Sequence, residues 1–150
     1  MRSGPLIRAW RVSAALLLTM PGAVPLAAQE RPETPSGVVR PRADSTRVER
    51  VNRLSEVFDA IQACWRPPSG SGFSGQEITL QISFKRSGEV LGQPKIRYYN
   101  PGTQPELREA FTRSVRQAFE QCTPLPVTES LGAAIAGRPF IFRFVDTRPM

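Results

Sequence analysis

Apolar residues recur every third or fourth position from Val48 to Trp65: Val48, Val51, Leu54, Val57, Phe58, Ile61 and Trp65. That spacing lays a single stripe along a helix. Residues 44–65 are therefore predicted helical. Thr46 and Glu49 have the spacing of a capping box, and Pro67 and Pro68 stop the run. A second stripe, Leu107, Phe111, Val115, Ala118 and Cys122, follows Thr103 as cap, Pro105 in the first turn and Glu106 closing the box. Pro124 and Pro126 end it. Elsewhere the period is two. Ile78, Leu80, Ile82 and Phe84 alternate with Thr79, Gln81 and Ser83, and Phe140, Phe142 and Phe144 alternate with Ile141, Arg143 and Val145. Between them "VLGQPKIRYY", Val90 to Tyr99, reads as a returning strand after the turn "KRSGEV", with Gly88 suited to positive φ. Gly92 and Pro94 interrupt it. A proline cannot donate to a ladder, so this strand is expected at a sheet edge or bulged at Pro94.

The order is helix, strand, strand, helix, strand, with no internal repeat. A right-handed crossover through the second helix leaves a slot for the first strand. The expected fold is an α+β two-layer sandwich: a three-stranded antiparallel sheet of order 2-1-3 with two helices on one face. Its last strand lies at an edge. Residues 69–75, "SGSGFSG", form a loop, and residues 123–139 form a long connection with one helical turn near Ala133.

Residues 1–28 stand apart. Arg2, Arg8 and Arg11 precede an apolar run that closes on small residues, the pattern of a secretory signal. Cleavage is expected near Ala28. A retained anchor is the alternative, but a spanning helix takes roughly 20 continuous apolar residues, and Pro21, Gly22 and Pro25 break the run. Residues 29–43 are rich in proline and charge without apolar period and are expected to be a disordered lead. Residues 44–148 remain as the domain. The whole chain carries a net +7; the signal takes three of 20 basic residues, leaving 17 against 13 acidic, or +4. That is ordinary for a small domain. Export to the periplasm argues against a nucleic-acid partner, while an anionic membrane surface or envelope polymer stays open.

The chain has no histidine and two cysteines. The commonest general base and the commonest metal ligand are therefore missing. Cys64 has three readings. As a nucleophile it lacks a base: Arg66 can lower a thiol's pKa but cannot shuttle protons. As a metal ligand it has too few partners. As one half of a disulfide with Cys122 it fits an oxidising compartment, and each cysteine closes a helix just before a proline stop. Such a bond closes a loop of about 58 residues, for which the chain-entropy model gives roughly 4 kcal/mol. Glu106 and Glu109 read as first-turn charges favoured by the helix dipole. No catalytic residue, metal or cofactor is expected.

"IQACWRPP", "ITLQISFKRSGEV", "LREAFTRSVRQAFEQCTPLP" and "GRPFIFRFVD", in that order, resemble the C-terminal domains of TonB/TolA-type energy-transducing proteins of the bacterial envelope. The resemblance covers Val48 to Asp146. The cysteine before tryptophan and the cysteine before the proline-rich exit look most like TolA domains, where such a pair forms a disulfide. The resemblance implies two helices on a three-stranded antiparallel sheet and a periplasmic protein-binding role. It also implies an envelope or periplasmic protein partner that adds a strand to an exposed sheet edge. By position that edge is the last strand, with Ile141, Arg143 and Val145 as partner contacts. Only about 17 residues separate the signal from the first helix, a reach of ~60 Å. A stand-alone periplasmic module is expected rather than a transducer. The alternative function is structural. In that reading Arg47, Arg50, Arg53, Arg108, Arg113 and Arg116 hold the chain to anionic lipid or cell-wall polymer.

Overall fold

Burial follows the alternation of the two apolar strands. Ile78, Leu80, Ile82 and Phe84 are buried, as are Phe140, Phe142 and Phe144, while the residues between them are not. The structure is a computed structural model that describes residues 33–44, 46–68 and 74–148. The expected signal, 1–28, lies outside the described residues, and so does the start of the expected lead. The elements are β1 (Ser36–Val39), α1 (Leu54–Cys64), β2 (Glu77–Phe84), β3 (Val90–Asn100), a 3₁₀ turn (Pro105–Leu107), α2 (Arg108–Cys122), α3 (Glu129–Ile135) and β4 (Pro139–Val145).

The sheet order is β1-β4-β2-β3. β2 pairs antiparallel with both β3 and β4, as the alternation implied. The expected three-stranded antiparallel sheet with two helices is nevertheless wrong. Among the described residues the sheet has four strands and is mixed, because β1 pairs in parallel with β4, and three α-helices accompany it. β1 comes from within the segment expected to be a disordered lead. It forms because the outer side of β4 offers a row of backbone partners, and Val39 drops into the core beside them.

α1 is also shorter than its stripe. Before it, Val51 donates its amide to the Pro126 carbonyl at 2.9 Å and accepts from the Thr128 amide at 3.0 Å. That pairing holds the segment extended. The carboxylate of Glu56 then accepts from the amides of Asn52 and Arg53 at 2.7 and 3.1 Å. The helix therefore begins at Leu54, and the Thr46–Glu49 box lies outside it. α3 replaces the single expected turn: the Thr128 hydroxyl accepts from the Leu131 amide, and Leu131 and Ile135 are buried.

The core lies between one face of the sheet and the helices. Phe58 of α1 sits 4.8 Å from Phe142, and Phe119 of α2 meets Phe142 edge-on at 5.2 Å. Trp65 stands edge-on to Phe111 at 5.8 Å and to Phe144 at 5.2 Å. Its indole N–H donates to the Ser114 hydroxyl at 3.1 Å, which in turn donates to the Phe111 carbonyl at 2.7 Å, so this buried polar chain is satisfied. At the β2–β3 turn Gly88 takes φ 85° and its carbonyl accepts from the Leu125 amide at 2.9 Å. The chain leaving α2 thereby fastens the hairpin tip.

Candidate docking surfaces

The two cysteines are joined. Cys64 and Cys122 form a disulfide with Cα atoms 6.0 Å apart, tying the last residue of α1 to the last residue of α2. Cys122 is 7% exposed, so the bond is largely internal. Among the described residues no group of acidic or cysteine side chains is placed to hold a metal ion.

β4 is not the edge that the sequence placed there. Its outer side is taken by β1, in the register Ser36 to Ile141 through Val39 to Phe144. Ile141, Arg143 and Val145 do share the sheet face opposite the helices, as expected. Arg143, however, already has a partner. Its guanidinium bonds both carboxylate oxygens of Glu77, at 2.5 and 2.7 Å, and that pairing raises its pKa further. On this face Arg97 likewise bonds the Gln81 side-chain carbonyl.

β3 is one of the two edge strands, where Gly92 and Pro94 foretold an edge. Its register against β2 slips twice, and Gly92 takes φ 71°. Pro94, the slipped register and the charges of Lys95 and Arg97 all oppose pairing with a further strand. Most of β3 is exposed, with Leu91 at 44%, Ile96 at 55% and Tyr98 at 52%.

On the helix side of β3 lies an uncovered groove of about 510 Å³. Ile78 and Leu80 of β2 with Val115 and Phe119 of α2 line it, and Val90, Pro94 and Ile96 border it on β3. Arg116, Glu120 and Thr112 stand on its α2 side. A second hollow of about 400 Å³ shares Ile78, Ile96 and Thr112 with it and extends to Tyr99, Glu106 and Arg108. There the Arg108 guanidinium sits 4.6 Å above the Tyr99 ring. Burial pushes the Tyr99 phenol up, and its hydroxyl has no hydrogen-bond partner. The groove escaped sequence reasoning because it arises from a mismatch. Thr112, Arg116 and Glu120 recur every four residues on α2, so the side of the helix turned to β3 has no apolar stripe to cover Ile96.

The six arginines of the structural alternative are not all on helices. Arg47, Arg50 and Arg53 precede α1 rather than lying on a helix. Arg53 pairs with Glu56 at 3.8 Å and Arg113 with Glu109 at 2.7 Å, while Arg116 borders the groove and Arg108 the second hollow.

Residues 47–148 match the model of a family described as Uncharacterised conserved protein UCP034077. The chain belongs to this family. No curated protein and no solved structure matches it. The UCP034077 match takes in everything from α1 to β4, hence the disulfide and the β3 groove. β1, at Ser36–Val39, falls outside it. A further closed polar cluster falls within the UCP034077 region. Asp146, 1% exposed, accepts from the Ser74 hydroxyl at 3.2 Å and from Arg148 at 2.8 Å, and Arg148 donates to the Pro68 carbonyl at 2.7 Å. These bonds fix the exit of β4 against both sides of the loop before β2.

Proposed function

We propose that this chain is a non-catalytic protein-docking domain of an oxidising, extracytoplasmic compartment, of the TonB/TolA C-terminal kind, and that it docks through the α2–β3 groove. The uncovered groove carries the reading. Buried apolar side chains of β2 and α2 floor it, and Ile96 on its β3 rim stands open to solvent, beside a strand whose proline, bulge and charges oppose strand pairing. The occupant that fits is a set of apolar side chains on a partner protein, received between mixed charges at Arg116 and Glu120. The internal disulfide supports the compartment, since such bonds persist where thiols are not kept reduced. The disulfide that joins the ends of α1 and α2 supports the likeness to TolA domains.

The test places a photo-crosslinking residue at Gln93, on the groove, and at Arg50, away from it. The expected result is an adduct with an envelope protein from Gln93 alone, lost when Ile96→Asp is added without change in thermal midpoint. Equal adducts from both positions, or an adduct indifferent to Ile96→Asp, would remove the groove from the reading. Intact mass of the chain recovered from the periplasm, with and without reductant, tests the compartment.

A further inference from the structure

The core and the helices take one face of the sheet, and the strand register lays out the other. One row crosses all four strands: Val38 is beside Arg143, Arg143 beside Thr79, and Thr79 beside Tyr98. The row next to it runs Ser36, Ile141, Gln81 and Lys95. Arg97 stands between the rows, at a slip in the β2–β3 register, and its guanidinium donates to the Gln81 side-chain carbonyl at 2.8 Å. Neighbouring strands lie about 4.8 Å apart, so each row spans roughly 15 Å. Thr79, Gln81 and Ser83 of β2 sit half-buried between the longer side chains.

Two properties set this face apart. Among the described residues five large apolar or aromatic side chains are exposed, and three of them, Val38, Leu91 and Tyr98, are on it. Its uncompensated charge is also of one sign. The Glu77 carboxylate is engaged by Arg143 and is only 13% exposed. Glu89, at the hairpin tip, pairs with Lys85 at 3.5 Å. Among the described residues Lys95 and Arg97 have no acidic partner, Arg97 being held by Gln81 alone. Two free cations thus flank an exposed tyrosine, with aliphatic side chains at both margins of the face.

We infer that this face of the sheet lies on an anionic phospholipid surface. The charge complementarity is direct: Lys95 and Arg97 meet lipid phosphates, and the salt-paired Arg143 and Glu77 add no net repulsion. Lysine and arginine lay their apolar stems along such a boundary while the charged ends stay in water. A tyrosine suits the headgroup level, its ring toward the acyl chains and its hydroxyl outward. Val38 and Leu91 supply apolar contact at the two margins. Arg108, Arg113 and Arg116 are on α2, across the sheet, and take no part. Laid down this way, the domain turns α2 and its groove away from the bilayer. The face shares no side chain with the groove, so failure of either leaves the other standing.

The chain recovered from the periplasm is sedimented with vesicles of phosphatidylcholine alone, and with vesicles in which about a third of it is replaced by phosphatidylglycerol. Binding should require the anionic lipid and fall as salt rises. Each basic side chain at such a surface contributes about fivefold, so Lys95→Gln with Arg97→Gln should lower the partition coefficient about 25-fold. Arg50→Gln with Arg113→Gln removes the same charge elsewhere and should stay within about twofold. Leu91→Ser with Tyr98→Ser keeps the charge and should lose several-fold. Thermal midpoints check folding, and should the Leu91 and Tyr98 pair fail it, the two charge pairs decide. Equal losses from the two charge pairs would reduce the binding to net charge and overturn the proposal. So would equal binding to phosphatidylcholine, or retention by cell-wall sacculi without retention by vesicles, which would assign the face to a polymer.

Discussion

The two edges of this sheet are built in opposite ways. On one side β1 is short, nearly featureless in sequence, and seated on β4 by a single buried valine and a glycine pressed to Phe58. On the other, β3 spans 11 residues, carries Leu91, Ile96 and Tyr98, and leaves most of them in solvent. The short strand has a helix side chain packed on one face, and the long one has a groove beside it. Length and hydrophobicity of a strand therefore do not decide which edge is closed. What decides is whether an element can reach over it. α1 does so through Phe58, whereas α2 presents Thr112, Arg116 and Glu120 toward β3 and leaves a groove.

That contrast can be broken at its centre. Phe142 is fully buried and touches Phe58 on the β1 side and Phe119 on the groove side. Phe142→Ala should cost about 3–5 kcal/mol in chemical denaturation and loosen both flanks together. Next comes the tie between the helices. Replacing Cys64 and Cys122 together by serine should cost about 2–4 kcal/mol, measured against the oxidised wild type. The sharpest comparison pairs the edges directly. Val39→Ala should cost about 1–2 kcal/mol, while Ile96→Ala on the longer, more apolar strand should stay within about 0.5 kcal/mol. Equal costs would mean that the groove is not open.

The smallest effect is electrostatic and lies at the start of α1. The amide of Asn52 is the largest influence holding the Glu56 carboxyl below its ordinary 4.5; burial opposes it, and the Arg53 amide and charge assist. A depressed folded-state pKa contributes stability that is present above pH 4.5 and is lost as pH falls through the folded value. Glu56→Gln should therefore destabilise slightly at neutral pH and flatten the acid limb of a pH–stability curve. A curve unchanged by the substitution would deny Glu56 its capping role.

What could be read from the residues alone follows the same division. The period-two runs of β2 and β4 declared both strands and their buried faces, because alternate side chains there meet a continuous core. Gly92 and Pro94 marked β3 as an irregular edge, and the prolines after Cys64 and Cys122 marked the helix ends that the disulfide joins. β1 was illegible because its pairing is backbone chemistry between two prolines, with one apolar anchor and no alternation to display. The start of α1 was misread because Val48 and Val51 continue the helical period yet reach the core from an extended segment pinned to Pro126 and Thr128. Arg143 was correctly placed on the open face, but its bidentate bond to Glu77 depends on strand register, which a single strand's pattern does not state.

The position of Trp65 has a practical consequence. It follows Cys64 directly and is 1% exposed, and the chain's one other tryptophan, Trp10, belongs to the segment expected to be removed on export. Disulfides quench excited indoles at close range, and Trp65 adjoins a bridged cysteine in the chain. Light emitted by the processed chain should therefore brighten when that bond is reduced, before any shift in colour signals water reaching the ring, so the molecule carries its own optical gauge of oxidation.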